Sequence, residues 1–124
     1  MLNSFGKALC LDNENLINVV TAISGSGPAY IFYLVEVLSK IGMNQGLSAE
    51  SAKVLALETL IGSAMLLESS NIDPKILRQN VTSPGGTTEA GLEILASKKN
   101  GLLDLLNNTI SCAKERAIFL NSNN

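Results

Sequence analysis

Residues 49–68 leave almost no polar face. Val54, Leu55, Leu57, Leu60, Ile61, Met65, Leu66 and Leu67 go nearly all the way round a helical wheel. Such a helix belongs in the centre of a core. Ser48 stands as its N-cap, with Glu50 in the first turn. Ala52, Ala56, Gly62, Ser63 and Ala64 are small enough to let a neighbouring helix approach closely. Lys53, Glu58 and Glu68 interrupt the run, which argues against a membrane span. A chain built round this segment needs other helices to cover it, and the flanking sequence supplies them.

Upstream, residues 1–11 are a short apolar lead-in (Phe5, Ala8, Leu9, Cys10, Leu11). Asp12 reads as an N-cap with Glu14 behind it, opening a short helix that carries Leu16, Val19, Val20 and Ile23. Ser24-Gly25-Ser26-Gly27 breaks that helix, and Pro28 takes the first position of the next one. Ile31, Leu34, Val35, Leu38 and Ile41 form its apolar face, and Gly42 and Gly46 end it.

Downstream, Asp73-Pro74 is an N-cap followed by proline, starting a short helix to about Val81. A loop rich in glycine and hydroxyls follows, with a helix expected from Pro84 to about Lys99 and Asn100-Gly101 as its stop. The last helix runs from Leu102 to about Leu120, with Leu103, Leu106, Ile110, Ala113 and Ala117 in one stripe. No strand-period stretch occurs after residue 11. The expected fold is all-α, one domain over residues 1–124, a bundle of five to six helices.

The chain has 124 residues, of which 46% are hydrophobic and only 16% charged. With a mean hydropathy of +0.26, a helical domain of this size is expected to hide part of its surface in a partner. The net charge of −2 and the lack of a basic stripe argue against nucleic acid. Lys98-Lys99 is read as charge at a helix C-terminus. There is no histidine, so Ser-His and Cys-His catalysis are excluded, as are the usual zinc sites. Cys10 and Cys112 lack metal or redox spacing and read as buried small hydrophobes. No metal is expected. Met1-Leu2-Asn3-Ser4 lacks the features of a signal peptide, so the expected location is cytoplasmic.

Two stretches carry candidate chemistry. In Ser83-Pro84-Gly85-Gly86-Thr87-Thr88, Ser83 can cap a helix with Pro84 at its first position. Gly85 and Gly86 would then leave their N–H groups open to an anion, with the Thr87 and Thr88 hydroxyls alongside. An ordinary capped helix start fits the same residues. The second stretch, Gly25-Ser26-Gly27, lacks the spacing and the strand–turn–helix setting of a dinucleotide fingerprint.

Taken together, Ala22-Ile23-Ser24-Gly25-Ser26-Gly27-Pro28-Ala29-Tyr30 and Asn80-Val81-Thr82-Ser83-Pro84-Gly85-Gly86-Thr87-Thr88 resemble pyrroline-5-carboxylate reductase. The order between them, through Gly42-Met43-Asn44-Gln45-Gly46-Leu47 and a long Ala/Leu-rich helix, is similar too. The resemblance runs from about Phe5 to Leu120 and concerns the C-terminal half of the enzyme. It implies the dimerisation and substrate-binding domain of an oxidoreductase that reduces 1-pyrroline-5-carboxylate to L-proline, the last step of proline biosynthesis. It further implies an interlocked homodimer that can assemble further. The family's N-terminal nicotinamide-binding domain is absent from this sequence. NADPH or NADH would therefore serve the full-length enzyme, with neither bound by this chain alone.

By the same resemblance, Ser83, Gly85, Gly86 and Thr87 would bind the substrate carboxylate, and Thr88 would be catalytic, its hydroxyl near the ring nitrogen. Ser24, Gly25, Ser26 and Gly27 would lie toward the cofactor end of the pocket. Asn44 stands where the family frequently has Lys, and Gln79 where it frequently has Asp. Lys98-Lys99-Asn100-Gly101-Leu102 departs from the family's Gly-Phe-containing turn. Two readings from other classes stay open: a non-catalytic helical homodimerisation module, and a stand-alone binder of anions or amino acids.

Overall fold

The computed structural model describes residues 10, 11, 13 and 16–123. Asp12 and Glu14, read as cap and first turn, lie outside the described residues, as does most of the apolar lead-in. Among the described residues every regular element is helical: α1 (Ile17–Val20), a π-helical turn (Thr21–Gly25), α2 (Gly27–Asn44), α3 (Ala49–Ser70), α4 (Pro74–Asn80), α5 (Thr87–Leu95) and α6 (Leu102–Ser122). The all-α expectation holds. The chain forms two compact units, one from Met1–Gly27 with Leu106–Asn124 and the other from Pro28–Leu105.

In the first unit, the expected break at Ser24 does not occur there. The backbone stays helical through Gly25 by widening to a π turn, closed by the Ser26 N–H donating to the Thr21 carbonyl at 2.9 Å. Within it the Ser24 hydroxyl donates back to the Val20 carbonyl at 3.0 Å, the bond a serine commonly makes inside a helix and one that tends to bend it. Ala22, on this turn, is buried. The Asn121 amide of α6 donates to the Asn18 side-chain oxygen of α1 at 2.9 Å.

In the second unit, α2 runs through Gly42 to Asn44 rather than ending at Gly42. Gly46 stops it at φ +103. The Gly46 N–H donates to the Met43 carbonyl and the Leu47 N–H to the Gly42 carbonyl, the paired bonds of a Schellman stop. Gly42 has a different task. A Cβ there would lie 3.1 Å from the Ala52 Cβ and 3.3 Å from the Leu47 side chain. Its missing side chain therefore lets α2 and α3 approach closely.

Local capping follows the sequence at α3 and α4. Ser48 accepts from the Ser51 N–H at 3.1 Å, and Asp73 accepts from the Lys75 N–H at 2.7 Å. A left-handed Asn71 (φ 53) ends α3. The expectation that α3 sits in the centre of a core is not met within one chain. Only Ala52 and Ala56 of α3 are buried, while Val54, Leu55, Met65 and Leu66 are exposed. The covered edge is the small-residue edge that meets α2, and most of the large apolar side chains of α3 are left exposed. Cys10 and Cys112, expected to be buried, are both exposed.

Candidate functional site

The stretch that follows α4 begins by finishing that helix. The Thr82 hydroxyl donates to the Arg78 carbonyl at 2.6 Å, and the Thr82 N–H to the Gln79 carbonyl at 3.1 Å. The chain then reverses over Ser83-Pro84-Gly85-Gly86, closed by the Gly86 N–H donating to the Ser83 carbonyl at 3.0 Å. Proline second and a glycine third at φ +69 are the residues a type II turn demands. Gly86 is held to glycine by space, since a Cβ there would lie 3.0 Å from the Ser83 carbonyl oxygen.

This geometry corrects the sequence reading of the helix start. Helix α5 begins at Thr87 with Gly86 as N-cap, so Ser83 is not its cap and Pro84 is not its first residue. Pro84 suits either role, and the turn wins because Gly85 can take positive φ without penalty. Nor are the glycine N–H groups left open. That of Gly86 closes the turn, and that of Gly85 donates to the Glu89 carboxylate at 2.6 Å. Around this turn, the N–H groups without an acceptor among the described residues are those of Ser83 and of Thr87, Thr88 and Glu89, the last three in the first turn of α5. The Ser83, Thr87 and Thr88 hydroxyls likewise have no bond within the described chain. Residues 83–89 thus bring together four free N–H groups, three of them in the first turn of α5 where its dipole is positive, and the three exposed hydroxyls.

Beside this turn, α4 and α5 enclose an open groove of about 370 Å³. Arg78, Gln79 and Thr82 line one side, and Glu89, Leu92 and Glu93 the other. Gln79, a departure from the family pattern, therefore borders the groove rather than the turn.

Ser24, Gly25, Ser26 and Gly27 belong to the other unit. Ser24 and Gly25 complete the π turn, Ser26 is the bend, and Gly27 opens α2. π turns are rare and often mark functional positions. Among the described residues no group of three or more His, Cys, Asp or Glu could hold a metal ion. No helix among them is long and apolar enough to cross a membrane.

Residues 14–120 match the family model described as pyrroline-5-carboxylate reductase dimerisation. The chain belongs to that family. Within it, the chain is 43% identical over 120 residues to the pyrroline-5-carboxylate reductase of Pseudomonas aeruginosa, covering 97% of this chain and 43% of the relative. The solved reductase of Coxiella burnetii is 36% identical and superposes with a TM-score of 0.87, over 96% of this chain and 43% of that one. The Plasmodium falciparum reductase, solved with NADP bound, is 36% identical with a TM-score of 0.79, over 92% and 42% respectively. The chain thus spans less than half the length of these relatives.

Glu89 is the residue that sequence reasoning left without a role. A signal was present, because an acid three residues after an N-cap is the second half of a capping box. With Ser83 as the cap, the third helical position would be Gly86, and Glu89 falls outside the box.

Proposed function

We propose that this chain is the dimerising and substrate-holding part of an enzyme that reduces 1-pyrroline-5-carboxylate to L-proline with hydride from NADPH or NADH. The observation that carries the reading is the cluster of free donors at residues 83–88, in a chain of this family. A carboxylate at the start of α5 would accept from the Thr87 and Thr88 N–H groups and from the Ser83 hydroxyl, within the turn set by Gly85 and Gly86. The Thr88 hydroxyl would then lie toward the ring nitrogen, orienting the C=N bond for reduction. The chain's own contribution is orientation and fixed charge, which needs no acid–base pair of its own.

Every regular element among the described residues is helical, whereas the dinucleotide-binding unit this reading calls for is a strand–turn–helix. In this reading the nicotinamide is held by residues outside this chain. The NADP bound to the Plasmodium falciparum relative supports the cofactor class.

A second reading, a homodimerisation module without catalysis, draws on the exposed apolar side chains of α3 and α6. Two assays separate them. Pyrroline-5-carboxylate-dependent NADPH oxidation by the chain alone is expected to show no sustained turnover, and turnover would overturn the placement of the cofactor site. In an L-proline titration followed by amide NMR, shifts centred on residues 83–88 support the substrate-holding reading. Shifts spread evenly or absent leave only the dimerisation module.

A further inference from the structure

We propose that Glu89 is a positioning residue for the carboxylate cradle, acting through Gly85; this rests on the substrate-holding reading above. Its carboxylate oxygen takes the Gly85 N–H at 2.6 Å, a short bond of the charge-assisted kind. Gly85 sits at φ +69, and glycine without a side chain has the widest choice of alternatives to that state. Glu89 reaches back four residues and ties that N–H to the third residue of α5. The turn over residues 83–86 is thereby fastened to the helix whose first-turn N–H groups face the ligand. Without it, the bond from Gly86 to the Ser83 carbonyl would hold the turn alone.

A second helix start in the same unit uses the same device. Before α6, Asn100 is left-handed at φ 58, Gly101 precedes the first helical residue, and the Asn100 N–H donates to the Asp104 carboxylate at 2.8 Å. In both places a residue of positive φ precedes a glycine, and an acid at the third helical position accepts its N–H. This fastening is therefore a way the chain fixes helix starts. At α5 it fixes the turn that carries Ser83 and leads into Thr87 and Thr88. It also determines the donors open to a carboxylate, because the Gly85 N–H already has its acceptor.

The test compares wild type, Glu89→Ala, Glu89→Gln and Asp104→Ala in the 124-residue chain. Amide hydrogen exchange and L-proline titration are both followed by NMR. Glu89→Ala should speed exchange at Gly85 about tenfold and weaken L-proline binding several-fold. Glu89→Gln, which keeps an acceptor, should restore part of both. Asp104→Ala should speed exchange at Asn100 and leave L-proline binding as in wild type. Unchanged exchange at Gly85 in Glu89→Ala overturns the proposal. So does faster exchange with unchanged binding, which would make the contact purely architectural. Wild type that shows no L-proline shifts at residues 83–88, with exchange behaving as described, overturns the substrate-holding reading itself.

Discussion

Thr88 is the side chain on which the proposed chemistry turns, because its hydroxyl would meet the ring nitrogen. Thr88→Val keeps the shape and removes the donor. In the reductase that carries this domain, it is expected to lower kcat about tenfold or more with little change in folding, read by steady-state kinetics beside a thermal melt. The glycines make a second prediction. Gly85→Ala places a side chain at φ +69 and should cost about 1–2 kcal/mol. Gly101→Ala should cost more, because the added Cβ runs into the Ser97 carbonyl oxygen, which is backbone and cannot swing away. Urea midpoints of the two variants should fall in that order below wild type. Both glycines are visible in the sequence as turn signals. Only the coordinates separate positive φ at Gly85 from crowding at Gly101.

At the scale of elements, each helix start was legible to the extent that its cap is local. Ser48 and Asp73 name their helices because a side-chain oxygen two or three residues upstream of an N–H acts wherever the chain goes. Asp73→Ala should therefore destabilise by about 1 kcal/mol, measurable as a lower melting temperature. The start of α5 was less legible. Ser83-Pro84 is compatible with a cap or a turn, and the choice depends on Gly85 and on Glu89. The end of α5 was overextended as well. The helix stops at Leu95, its C-cap Ala96 donating to the Leu92 and Ile94 carbonyls. Lys98 and Lys99 therefore lie in the following turn rather than on the last turn of α5. Asn100 and Gly101 set the start of α6 rather than the end of α5. The π turn at residues 21–25 carries no sequence signal apart from Ser24 and Gly25. Such residues suit a break and a widened turn equally, and the bond from the Ser26 N–H to the Thr21 carbonyl shows that the chain takes the latter.

For the whole molecule, hydropathy was read correctly as a need for cover and incorrectly as cover from within. Among the described residues the buried hydrophobic side chains are all alanines, Ala22, Ala52 and Ala56, while Phe32, Ile94 and Leu103 are more than 70% exposed. Pattern alone tells which face of a helix is apolar but not which molecule covers it. That is why α3 and Cys112 were assigned to a core that one chain does not build. Exposed apolar side chains on this scale favour association, and the family match to a dimerisation domain points the same way. A chain with this much exposed apolar surface is expected to complete its core with a second copy. Size-exclusion chromatography with light scattering at micromolar concentration checks this. A homodimer, at twice the 13.1 kDa of one chain or a multiple of that, is the predicted result, and a stable folded monomer would contradict it.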